Sequence, residues 1–128
     1  MITADLTRVT SLAVRFRTAI EKCDPSRLPI GFQKFPRGNC GDAALLLGTF
    51  LKETFTYVVG ERGKKGRTWR SHAWLEADGV IVDITADQFP EIAEPVIVTM
   101  HSVWHKKFRQ ERRHEADYHV YELSLIHI

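Results

Sequence analysis

Cys40, His72 and Asp83 have the types, order and local settings that nucleophilic attack on a carbonyl requires. Cys40 closes a stretch broken by proline and glycine, Phe35-Pro36-Arg37-Gly38-Asn39. Ala43, Ala44 and the leucines at 45–47 then favour helix. A thiol at a helix start meets backbone N–H groups with no intrahelical acceptor, and the positive end of the helix dipole. Both favour the thiolate, which is the nucleophile. The leaving group then needs a proton, most often supplied by histidine. A carboxylate on the far side of the ring holds the imidazole in the useful tautomer. Each of the three alone has a plain structural explanation; a carboxylate inside an apolar strand is the hardest to dismiss, because burial without a partner is costly.

The strands that must position His72 and Asp83 are readable. Asp78-Gly79 lies between two strand-like runs, the strongest short-range signal for a two-residue hairpin turn. Counting outward pairs Ala77 with Val80, Glu76 with Ile81, Leu75 with Val82, Trp74 with Asp83 and Ala73 with Ile84. Side chains alternate faces along a strand. His72, Trp74, Ile81, Asp83 and Thr85 therefore share one face, and Ala73, Leu75, Ala77, Val80, Val82 and Ile84 form a wholly apolar one. His72 and Asp83 become diagonal neighbours, about 7–8 Å apart at the backbone and within reach of an aromatic ring.

The other elements follow in order. Leu6, Val9, Leu12, Ala13, Phe16, Ala19 and Ile20 recur at helical spacing, with Arg8, Arg15, Arg17, Glu21 and Lys22 mostly off that face. Thr3 or Asp5 caps the start and Asp24-Pro25 ends the helix. A long irregular connection over 25–39 is of the kind that carries function. The Cys40 helix is expected to reach Lys52 or Glu53, and Phe55 to Val59 to be a strand. Glu61 to Arg70, with Arg62, Lys64, Lys65 and Arg67 between, reads as a solvated hairpin loop. Val96 to Met100 reads as a strand, 101–114 as basic and partly helical, and Tyr118 to Tyr121 as a last short strand.

Composition bounds the rest. The chain has 128 residues, enough for one domain with its own core, and 44% hydrophobic residues, which argues against disorder. A net charge of +2 and interspersed acids argue against a nucleic-acid partner. No apolar run reaches the roughly 18 residues that a membrane span needs, and no signal peptide is visible. Cys23 and Cys40 are too few for a disulfide scaffold, so two free thiols in a cytoplasmic setting are expected, Cys23 as a packing residue. Leu123 to Ile128 matches a translated sequencing-adapter end, so the domain is expected over 1–122 with a non-native tail at 123–128.

Taken together, Gly38-x-Cys40-x-x-x-Ala44-x-Leu46-Leu47, Tyr57-Val58-x-Gly60, His72-Ala73-Trp74-x-Glu76 and Asp83-x-Thr85 resemble the core of the transglutaminase-like superfamily of papain-like cysteine peptidases. Bacterial transglutaminase-like peptidases and the leader peptidases of lasso peptides belong to that group. The resemblance runs from about Gly38 to Thr85. It implies an α+β fold with the nucleophile helix packed on an antiparallel sheet. It also implies Cys40 as nucleophile, His72 as base and Asp83 as orienter, a peptide or protein substrate, and no metal or organic cofactor. The short chain departs from the multidomain transglutaminases, which favours hydrolysis over crosslinking. The backbone N–H of Cys40 is the natural first oxyanion donor. Gln33 is similar in position to the upstream glutamine of papain-like enzymes, although the intervening sequence differs.

Trp74 and Trp104 are candidates to line a substrate cleft, and both also suit core packing. His101, His105, His114 and His119 lack the glutamate spacing of a zinc-peptidase helix, so no metal site is expected. Asp42 lies close enough to Cys40 to oppose a thiolate. The competing expectations are a catalytically idle, peptide-binding module of the same fold and, third, a nucleic-acid module using the two basic segments.

Overall fold

The apolar stripe at helical spacing becomes α1, Leu6–Lys22, and the alanine- and leucine-rich run after Cys40 becomes α2, Cys40–Phe50. The structure, a computed structural model, describes residues 6–24, 35–36, 40–51, 55–63 and 69–115. Gln33, most of the 25–39 connection, residues 64–68, the expected strand at 118–121 and the 123–128 tail lie outside the described residues.

Among the described residues the strands are β1 (Thr56–Arg62), β2 (Arg70–Ala77), β3 (Val80–Asp83), β4 (Ile97–Thr99) and β5 (Arg109–Glu115), with a short helix α3 (Val103–Lys106) before β5. They form a five-stranded sheet in the order β4-β3-β2-β1-β5, each pairing antiparallel. The fold is α+β, with β2 at the centre of the sheet. The β2–β3 register is the one counted from the turn: Leu75 faces Val82, Glu76 faces Ile81 and Ala77 faces Val80. Asp78 and Gly79 both take positive φ, 51° and 80°, as a tight turn matching strand twist demands.

The two faces of the sheet have different cores. Ala73, Leu75, Val80, Val82 and Ile84 are covered by α1 and α2 through Val9, Ala13, Ile20, Ala43, Ala44, Leu45 and Leu47. The second helix, packed on β1 and β2, buries Ala43, Ala44, Leu45 and Leu47 and is apolar over most of its surface. The opposite face holds a smaller cluster of Val58, Trp74, Ile81 and Phe108, with Trp104 against it. Gly60, paired with His72, has no room for a side chain there. A Cβ would lie 2.8 Å from the Phe108 Cβ, 3.1 Å from the Arg109 carbonyl oxygen and 3.1 Å from the Trp74 ring.

Four expectations need correction. Residues 101–114 are helical over Val103–Lys106, but from Arg109 they form β5, an edge strand whose exposed, charged residues show no alternation to read. The basic loop is shorter than expected, since β1 runs on to Arg62 and β2 begins at Arg70. The second helix stops at Phe50, short of Lys52. Arg17 is buried on α1, not displayed off its packed face. Its guanidinium donates to both Asp87 carboxylate oxygens at 2.7 and 2.8 Å and to the Ile84 and Pro95 carbonyls at 2.7 and 3.0 Å. Its Nε donates to Glu21 at 2.9 Å. Burial is affordable because every donor direction toward the protein finds an oxygen.

Candidate active site

His72 enters from the middle of the sheet, and alternation along β2 puts it on the face opposite to Ala73 and Leu75. It is fully buried, ringed by Phe89, Trp104, Trp74 and Phe108 with ring centroids 5.2, 5.6, 5.8 and 6.1 Å away. Its Nε2 donates to Asp83 Oδ2 at 2.7 Å. Asp83 closes β3, and its second oxygen accepts from the Thr85 backbone N–H at 2.9 Å. This is the contact expected from the diagonal placement across the hairpin.

Cys40 is the first residue of α2, so its own N–H and those of the next turn have no acceptor within the helix. It is half-buried, and neither it nor Cys23 is in a disulfide. The Cys40 side chain lies close enough to His72 to help hold its ring protonated. Because Nε2 is held by Asp83, the nitrogen left to serve the thiol is Nδ1. The face count therefore joins His72 to Asp83, and the helix start brings Cys40 to the same ring.

Burial alone would push His72 toward the neutral form. The Asp83 charge and hydrogen bond, reinforced by Cys40, outweigh it and push the ring up to about 9. Asp83 shows the mirror case: burial disfavours its charge, and His72 and His105 more than reverse that, holding the carboxyl well below its usual range. Asp42, in the first turn of α2, is pushed up by burial.

His105 was not read as part of the site from sequence. Its Nε2 lies 2.6 Å from the same Asp83 oxygen that His72 uses. Ser102, the N-cap of α3, accepts from the His105 backbone N–H at 3.1 Å. Its Oγ also lies 2.5 Å from His105 Nδ1. The consistent assignment sends the Ser102 hydroxyl proton to Nδ1 and leaves Nε2–H to donate to Asp83. Asp83 thus accepts three hydrogen bonds, and His105 fixes the carboxylate that fixes His72. The available signal was the Ser102-x-x-His105 spacing, but nothing local tied it to Asp83, 22 positions away.

Among the described residues, His72, Asp83 and His105 are also the group that could face a metal, with candidate ligand atoms within 4.8 Å of one another. Both ring nitrogens are engaged with one carboxylate oxygen at 2.6 and 2.7 Å, and all three groups are buried. Admitting an ion would break both hydrogen bonds, so the cluster is a hydrogen-bonded one.

Gln88 was also missed. Its side-chain nitrogen donates to the Thr85 carbonyl at 3.1 Å and lies 3.4 Å from His72 Nδ1. It is a side-chain amide at the nitrogen that serves Cys40, whereas Gln33 lies outside the described residues. Trp74 is fully buried and donates to Glu76 at 2.8 Å, so it supports His72 and does not line a cleft. Trp104 packs against His72 and also walls a cleft with Arg62, Arg70, Glu91 and Lys107. No described helix is long and apolar enough to cross a membrane.

The raised His72 has a stability consequence of known sign. A group whose folded pKa lies above its ordinary value contributes fully below that value, here 6.5, and loses the contribution as pH rises through about 9. Asp83 runs the other way: its contribution is complete above 3.8 and is lost in strong acid as the carboxyl protonates. The difference in unfolding free energy between the native protein and His72→Gln is expected to shrink by a few kcal/mol across pH 6.5–9. Urea denaturation of both proteins at several pH values measures it. A difference that stays constant over that window would mean that the folded protein holds His72 neutral.

Comparison with protein-family models, with curated proteins and with solved structures finds no match for this chain.

Proposed function

We propose that the chain is a cysteine-dependent amide-bond hydrolase or acyl transferase of the transglutaminase-like, papain-like kind, acting on a peptide or protein through Cys40, His72 and Asp83. The observation that carries this reading is one ring with two partners: His72 is hydrogen-bonded to Asp83 at 2.7 Å and interacts with the Cys40 thiol.

The chemistry follows from that placement. The Cys40 thiolate attacks the substrate carbonyl carbon, and the π electrons move onto oxygen. The backbone N–H of Cys40 stabilises the oxyanion, and the Gln88 amide is the candidate second donor. His72, protonated on both nitrogens, gives its Nδ1 proton to the departing amine as the C–N bond breaks, leaving a thioester on Cys40. The neutral ring then takes a proton from water, or from an acceptor amine, as that nucleophile attacks the thioester. Collapse of the second intermediate expels the thiolate. Asp83 keeps Nε2–H in place throughout, and His105 and Thr85 keep Asp83 in place.

The test compares the native protein with Cys40→Ala, using an electrophilic probe that mimics an acyl group and a peptide library. Cys23 is the internal control. Rapid labelling at Cys40, with turnover lost in the variant, is the expected result. Labelling of Cys40 no faster than Cys23, or turnover that survives in Cys40→Ala, would sink the proposal and favour an idle peptide-binding module.

A further inference from the structure

On the sheet face that carries His72, the residues directly opposite each other at the loop end of the β1–β2 pair are both arginine, Arg62 and Arg70. Like charges facing across strands are destabilising. Arg70 pairs with Glu91 and lies 5.0 Å over the Phe89 ring. The Glu91 oxygen that pairs with Arg70 also accepts from the Trp104 indole N–H at 2.8 Å. Among the described residues, no carboxylate pairs with Arg62 or with Lys107. These groups, with Trp104, line a cleft of about 540 Å³. Three cations surround it against one engaged carboxylate.

The cleft adjoins the candidate catalytic ring. Its Trp104 wall lies 5.6 Å from the His72 ring centroid, and Phe89, beneath Arg70, lies 5.2 Å from it. Arg70 precedes His72 by two residues on the same strand and face, about 7 Å along it.

We propose that this cleft is a substrate subsite for acidic side chains, so that the peptides presented to Cys40 carry Glu or Asp a few residues from the bond attacked. The inference rests on the peptide-substrate reading above. A nucleic-acid strand fits less well. Phosphate tracking needs an extended cationic groove with free stacking surfaces, whereas here a carboxylate stands in the wall and Trp104 is packed against His72, Phe89 and Phe108.

The experiment measures binding, not turnover, on full-length Cys40→Ala protein. Fluorescence anisotropy follows a labelled peptide with clustered Glu, its Gln-substituted counterpart, and a single-stranded oligonucleotide of equal charge. The Glu peptide is expected to bind roughly 3- to 30-fold more tightly than the Gln peptide, the combined effect of two or three exposed charge pairs. Arg62→Gln combined with Lys107→Gln, both at the surface, is expected to bring the two peptides within about twofold of each other. Equal affinities for the two peptides overturn the proposal, as does a preference that survives in the double variant. Tighter binding of the oligonucleotide through the same residues also overturns it. If the Glu preference holds while Cys40 fails to label in the native protein, the subsite stands and the catalytic reading falls.

Discussion

Replacing His72 by alanine is expected to lower turnover of a peptide substrate about 10²- to 10⁴-fold, the range by which a positioned general acid–base accelerates reactions. The loss should approach that of Cys40→Ala, because without the ring the amine leaves unprotonated. Asp83→Asn separates the roles further. Asp83 is an acceptor only, receiving hydrogen bonds from His72, His105 and the Thr85 backbone. Asparagine must turn its NH₂ toward at least one of those donors. The serine-protease precedent for such a change is a loss of about 10⁴. A cysteine nucleophile needs less help from an oriented base, so a loss of roughly 10- to 1,000-fold is expected here. Steady-state turnover of the three variants on one substrate measures the order. Full turnover in Asp83→Asn would make the aspartate a structural strand residue and the site a Cys–His dyad.

The second large effect lies away from the chemistry. Arg17→Met is expected to cost about 3–5 kcal/mol of unfolding free energy, the penalty for removing one partner from a buried ion pair. Side-chain exposure is 6% for Arg17 and 17% for Asp87, so the stranded carboxylate has little water to turn to. The Ile84 and Pro95 carbonyls lose their donor at the same time. Adding Asp87→Leu should recover much of the loss, since replacing both partners by apolar groups is often nearly neutral. Denaturant unfolding of the two single variants and the double variant closes the cycle. A cost below about 1 kcal/mol for Arg17→Met, or simple additivity in the double variant, would show that the pair carries no coupling.

The parts legible in the sequence are those set by short-range rules. The Asp78-Gly79 turn fixes the β2–β3 register, and the register puts His72 and Asp83 on one face. The helix start at Cys40 follows from the loop residues before it. What could not be read depends on contacts between distant segments. Arg17 looks like a surface arginine until Ile84, Asp87 and Pro95 are brought to it. His105 and Gln88 lie on segments that pack over the hairpin, and no local pattern points either at the site. β5 is strongly polar because it is a sheet edge, and so it imitates a loop or a surface helix.

His72 and Asp83 are only 11 residues apart and are borne by one hairpin. That proximity bears on the order in which the protein assembles. Hairpins form in about 1–10 μs, well before most domains consolidate. The imidazole and carboxylate can therefore meet while both are still wet, and the aromatic wall of Phe89, Trp104 and Phe108 can close over a pair already neutralised. A carboxylate whose partner came from a remote part of the chain would have to be desolvated alone or wait for it. By carrying both charges on one local unit, the chain avoids the unfavourable intermediate that a buried, unpaired Asp83 would create.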